Sequence, residues 1–156
     1  MTKGDEMFSV FFSGTDVSGK NSVMHGLAKE FNYKPFMSPR SPICNMIYDE
    51  INKRNTECYQ HNIRLIKNLL EQNTYFILIK AKPKILVKRA LARDEKHVRT
   101  EKDFEYHQKI YDIAFKTFKQ TFPIYSKKFI EIDNSGDLKQ TVTKLKNKIL
   151  KLEEKK

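Results

Sequence analysis

The sequence predicts an α/β fold: a short, mainly parallel central sheet flanked by helices in three layers. Three observations carry this. Short β-rich apolar runs alternate with segments of helical spacing along the chain, the pattern of parallel strands joined by crossover helices. A glycine loop stands between the first such run and the first helix. Gly and Pro number only five each among 156 residues, which excludes collagen-like and low-complexity chains. A chain of this length is expected to form one domain.

Each element follows in order. Phe8 to Phe12 is a short apolar run, read as a buried strand. Lys20 to Phe31 places Val23, Leu27, Ala28 and Phe31 at helical spacing. Phe36 and Met37 suggest a brief strand. Ser41 before Pro42 is an N-cap followed by proline at the first helical position. The helix it opens carries Ile43, Ile47, Tyr48 and Ile51. Cys58 to Gln72 is a further helix, with Ile63, Ile66, Leu69 and Leu70 on one face. Thr74 to Lys80 is a buried strand. Lys82 opens a helix that ends near Arg93. Asp94 to Lys102 is polar and predicts a loop. Phe104 to Phe118 is a long amphipathic helix. Phe129 to Ile132 is the last strand. Asp133 to Gly136 is a turn, and Leu138 to Leu152 closes the series as a Lys-rich helix.

Composition narrows function. Thirty Lys and Arg against nineteen Asp and Glu give +11, a balance that favours polyanions. Abundant Lys, Asn and Ile also fit an AT-rich coding sequence. No apolar run reaches the roughly 18 residues of a membrane span. The first six residues are polar, which predicts no signal peptide. Cys44 and Cys58 match no zinc spacing and no disulfide framework, so a reduced cytoplasmic setting is expected. His25, His61, His97 and His107 show no metal-ligand spacing. Asp103 and His107 share a helix face, best read as a surface ion pair.

The most specific motif is Gly14, Thr15, Asp16, Val17, Ser18, Gly19, Lys20, Asn21 and Ser22. It satisfies G-x-x-x-x-G-K between a strand and a helix. Glycines let backbone N–H groups turn inward around a phosphate. The following helix adds the positive end of its dipole, and Lys20 adds a mobile charge for the terminal phosphates. Where the motif normally has Ser or Thr after the lysine, this chain has Asn21, then Ser22. An amide oxygen can still serve magnesium, which keeps several of its waters.

This segment resembles the phosphate loop of thymidylate kinases and of the related deoxynucleoside and nucleoside-monophosphate kinases, most of all the small phage-encoded members. The family has an acidic residue two after the first glycine, matched by Asp16. Pro39 to Tyr48 is similar to the family's Asp-Arg segment and following helix. Alternatively, Arg40 to Pro42 matches its Arg-x-Pro acceptor strand. Ile77 to Arg93 resembles the strand and helix leading into the lid, and Phe129 to Ser135 the last strand and the adenine loop. The likeness covers most of the chain, although only the glycine loop is highly specific.

The resemblance implies a P-loop NTPase-like fold and ATP- and Mg²⁺-dependent phosphoryl transfer to a nucleoside monophosphate or deoxynucleoside, with a thymidylate-like acceptor slightly preferred. It implies ATP phosphates on Gly14 to Ser22, and magnesium at Asn21 and Ser22. It gives catalytic roles to Lys20, Asp16, Arg40, Arg89 and Arg93, with Arg99 nearby. Arg40, Tyr48 and Tyr111 would meet the acceptor, with Phe104 and Phe115 as further stacking rings. Asn134 and Ser135 would border adenine. It favours a homodimer. The family's aspartate is Pro39 in the first alignment, and the acceptor region is shorter. Two other readings stand beside this one. One is a catalytically weak or inactive protein that binds a nucleotide or a protein partner. The other is a nucleic-acid 5′-end kinase, motivated by the charge and the Lys-rich C-terminal segment.

Overall fold

The computed structural model describes residues 7–51, 59–93 and 99–155. Cys58, Asp94, Glu95 and His97 lie outside the described residues, as does the side chain of Tyr48. The elements in chain order are β1 (Ser9–Ser13), α1 (Lys20–Glu30), β2 (Phe36–Ser38), α2 (Pro42–Ile51), α3 (Tyr59–Glu71), β3 (Thr74–Lys80), α4 (Pro83–Ala92), α5 (Glu101–Thr121), β4 (Phe129–Asp133) and α6 (Leu138–Glu154). A 3₁₀ helix, Pro123–Lys128, joins α5 to β4. It has no counterpart in the sequence reading, because no hydrophobic period marks it.

The four strands form one sheet in the order β2-β1-β3-β4. Every pairing is parallel, with Ser9 beside Phe36, Ser9 beside Thr74 and Phe76 beside Phe129. β3 is central and buried from Thr74 to Ile79. That is why it reads as a continuous apolar run rather than an alternating one.

The sheet residues divide by parity between two cores. Val10, Phe12, Tyr75, Ile77, Ile79, Ile130 and Ile132 face α1 and α6, where Val23, Leu27, Leu145 and Ile149 meet them. Phe76, Leu78 and Phe129 face the other way, onto Ile43, Ile47, Ile66, Leu70, Phe115 and Phe118 of α2, α3 and α5. Phe129 stacks on Phe76 at 5.4 Å and on Phe118 at 6.1 Å between ring centroids. Such ring pairs are worth about 0.5–1.5 kcal/mol beyond area burial. The result is a helix–sheet–helix sandwich.

A polar cluster fastens α6 to the start of β3. The Tyr75 hydroxyl donates to Glu153 at 2.5 Å, and the Asn73 amide donates to the same carboxylate. Lys128 donates to Asn73 and lies 4.0 Å over the Tyr75 ring. Burial and the neighbouring carboxylate push the Tyr75 hydroxyl pKa far above its ordinary value, so this tyrosine stays neutral. Among the described residues, no helix is long and apolar enough to cross a membrane.

Candidate functional site

β1 has β2 on one side and β3 on the other, so the chain reverses direction across the sheet at this strand. In open parallel sheets, ligand crevices form at such a reversal, beyond the carboxyl ends of the strands. The glycine loop leaves β1 at that end. Beside it is a cleft of about 540 Å³, lined by loop residues from Asp16 to Ser22 and by Pro39, Arg40, Cys44, Asn45 and Arg93.

The loop conformation depends on its glycines. Gly14 has φ +152°, and a Cβ there would lie 2.5 Å from the Ile79 carbonyl oxygen and 2.9 Å from Ser18 Oγ. Gly19 has φ +96°, and its Cβ would lie 2.3 Å from the Asn134 amide nitrogen. Val17 holds φ 59°, a left-handed conformation that a β-branched residue adopts only at a cost of about 1–3 kcal/mol. Two restraints hold it there. Its side chain is buried with Ala81, Leu86, Ala90 and Phe104, and its carbonyl is held by Arg89.

Arg89 is the principal clamp of this loop. Its guanidinium donates to Val17 O at 3.3 Å, Ser18 O at 3.2 Å and Asn134 O at 2.6 Å. Asn134, nearly fully buried, donates its amide to Ser18 O at 2.9 Å and its backbone N–H to Lys80 O at 2.6 Å. Burial, with Arg93 nearby, lowers the Arg89 pKa from its usual range. These contacts correct one expectation. Arg89 is not among the described residues that line the cleft, and its guanidinium bonds backbone carbonyls of the loop and of Asn134. Asn134 supports the loop through its amide. Ser135 is likewise a turn residue: its hydroxyl accepts from Lys82 N at 2.8 Å and donates to Asp133 at 2.6 Å. Arg89→Ala is expected to destabilise the fold by about 2 kcal/mol, the scale of lost hydrogen bonds from a charged donor. Arg89→Lys should recover only part, since a point charge cannot span three acceptors. Urea unfolding of the two variants measures this.

The opposite wall is built by a turn and a helix cap. Ser38 Oγ donates to Arg40 O at 2.8 Å and accepts from Arg40 N at 3.2 Å, which fixes the backbone around Pro39. Ser41 Oγ accepts from Cys44 N at 3.1 Å, the N-cap bond that its place before Pro42 predicts. It also bonds Ser13 Oγ at 2.8 Å, tying the start of α2 to the end of β1. Arg40 is thereby held across from the loop, with its side chain exposed. Cys44 and Asn45 reach the cleft from the first turn of α2. Sequence reading did not single them out as site residues. The cap was the available signal, because it places the next three or four residues beside the loop.

Arg93, at the end of α4, lines the cleft and is exposed. Asp16 lines it too, and pairs with Arg99 at 2.8 Å. Tyr111 lies elsewhere. It is 2% exposed, packed in the core beneath α2, with its hydroxyl 3.9 Å from Cys44 Sγ. No ring face is open to a base, so the expected stacking role gives way to packing. Phe104 and Phe115 are core residues as well.

Half-buried His107 faces Arg99, Asp103 and Asp16. Burial first, then Arg99, lowers its pKa from the ordinary value, against the two carboxylates. A histidine whose folded pKa is depressed takes its proton more readily when unfolded. Stability is therefore expected to fall as pH drops through about 6.5, and to level off below the folded value. Unfolding midpoints between about pH 7.5 and 5.5 should fall more for the native chain than for His107→Gln.

The donor set suits a polyphosphate. Lys20, Arg40 and Arg93 face a cleft in which, among the described residues, Asp16 is the one lining carboxylate. Among the described residues, no group of three His, Cys, Asp or Glu is placed to hold a metal. Asn21 and Ser22, both exposed at the start of α1, offer an amide and a hydroxyl. Those donors fit a magnesium ion carried on phosphates and keeping its waters, not one caged by protein. The chain matches no known family model and no curated protein.

Proposed function

We propose that the chain is a P-loop phosphotransferase of the thymidylate kinase type. It moves the γ-phosphoryl group of ATP to a nucleoside monophosphate or a deoxynucleoside, with a thymidylate-like acceptor slightly preferred. The observation that carries this is the cleft itself, in which Arg40 and Arg93 face the glycine loop across a space of about 540 Å³.

In this reading the loop N–H groups, the α1 dipole and Lys20 hold the β- and γ-phosphates. Arg40 takes the acceptor's phosphate, for which a planar guanidinium is well shaped. Arg93 neutralises charge that develops on the group in transit. Asn21 and Ser22 hold magnesium on the phosphates, where it supplies charge neutralisation. Asp16 is the lining carboxylate able to orient the acceptor, and Arg99 sets its position.

The test is ADP release from ATP and Mg²⁺ across a panel of nucleosides and nucleoside monophosphates. Turnover that depends on one acceptor supports the reading and names the substrate. A second reading is favoured by Pro39, which lines the cleft where the family has an aspartate, and by the Asp16–Arg99 pair. It is nucleotide binding without turnover, and it predicts ATP binding by calorimetry with no ADP release from any acceptor.

A further inference from the structure

We propose that the lysine groove along the outer edge of β4 is a second anion site, which binds the phosphate backbone of a single nucleic-acid strand. The groove has a volume of about 480 Å³ and is lined by Lys119, Lys127, Lys148, Lys151 and Lys155. Among the described residues Glu131 is its one lining carboxylate, and its apolar lining includes Phe129, Ile130 and Leu152.

Topology separates it from the cleft. The cleft lies at the carboxyl ends of the parallel strands. The groove lies where β4 begins, because α5 and the 3₁₀ helix lead into that end and α6 runs back to it. Among the described residues the two share no lining residue. Ligand held in the groove is therefore tethered to the protein rather than presented to the glycine loop.

Three ion pairs form away from the groove: Lys80 with Asp112 at 2.7 Å, Arg99 with Asp16 at 2.8 Å, Lys146 with Glu30 at 2.9 Å. Among the described residues, none of the five groove lysines makes such a pair. Lys144, Lys148, Lys151 and Lys155 are all exposed and follow each other at helical spacing, so one stripe of α6 and its C-cap carries four like charges. The stripe is about 16 Å long at 1.5 Å per residue. Like charges four apart on a helix repel, a cost that a bound anion removes. Helix-end electrostatics account for Lys119, Lys127 and Lys151, which sit in the last turns of α5, the 3₁₀ helix and α6. They leave Lys148 unexplained. Lysines gathered from α5, the 3₁₀ helix and α6 around an apolar lining match a strand with evenly spaced, fully ionised phosphates and bases that can lie on apolar surface.

The experiment measures fluorescence anisotropy of a labelled 20-nucleotide oligothymidylate against salt. The native chain is compared with the quadruple variant K119Q/K127Q/K148Q/K151Q, and with K29Q/K34Q/K88Q/K109Q, which removes equal charge outside the groove. The groove variant is expected to bind at least about tenfold more weakly, with a log–log salt slope shallower by about 3, since each phosphate contact contributes about 0.7. The scattered variant should lose less than about threefold, and Lys20→Ala should bind like the native chain. Protection from lysine acetylation, read by mass spectrometry on the native chain, should fall on the groove lysines whether or not the variant folds. Equal losses in both quadruple variants overturn the proposal. So does protection elsewhere, loss of binding in Lys20→Ala, or binding to anionic phospholipid vesicles without binding to the oligonucleotide.

Discussion

Replacing Lys20 by alanine is expected to lower acceptor-dependent ADP release by about a hundredfold or more, with the fold intact. Lys20 stands at the first position of α1, where the loop's phosphate cradle meets the helix dipole. Removing one preorganised positive donor from a site of charge stabilisation costs about 10²–10³ in rate. The side chain is only half-buried and lines open space, so its loss leaves no core cavity. Thermal unfolding of the variant should therefore match the native chain within about 0.5 kcal/mol, as for most surface substitutions. Lys20→Arg is expected to recover little, because a planar fork does not replace a compact ammonium at a single phosphate oxygen. Native-like turnover in Lys20→Ala would remove the cleft from the proposed chemistry.

Gly14→Ala should be the most damaging small change to stability. Its Cβ would lie 2.5 Å from a backbone oxygen of β3, the central strand, and the residue's φ is unfavourable for any L side chain. A flexible side chain could move aside, but Ile79 O is part of the sheet. We expect a loss of roughly 3 kcal/mol or more, since strain and overpacking combine. For a domain of this size that lowers the unfolding midpoint by about 10 °C. Gly136→Ala is the control: nothing lies within 4 Å of its Cβ, so its midpoint should stay within about 2 °C.

The contrast between these residues shows what the sequence could say. Gly14, Gly19 and Lys20 are legible because strand, loop and helix are contiguous, and local backbone chemistry decides their roles. The Ser41 cap is legible for the same reason. Thr74 to Lys80 is legible because a strand buried on both faces reads as a continuous apolar run, here Tyr75 to Ile79. Arg89 is different. Helical spacing puts it on one face with Arg93, yet it turns to backbone carbonyls and Arg93 lines the cleft. That choice depends on Val17, Ser18 and Asn134, which lie 72, 71 and 45 residues away in sequence. Tyr111 shows the same limit. Its periodicity allows either a core ring or a stacking ring, and only its packing beneath α2 decides.

The clamp on the loop also sets an order of assembly. Gly14 to Lys20 emerges early in synthesis, but the groups that hold Ser18 O come much later, Arg89 first and Asn134 last, the latter 116 residues on. β1 likewise waits for β3 to fill its second side, with Ser9 paired to Thr74. Contacts this distant in sequence close slowly, because the intervening chain must be ordered first. A nascent chain that has made the glycine loop and α1 thus carries the phosphate motif without its restraints. Val17 has no reason to hold a left-handed backbone until α4 and α5 bring Arg89, Leu86, Ala90 and Phe104 against it. The anchoring of the loop is therefore completed only near the end of folding, when the turn after β4 brings Asn134 against Ser18.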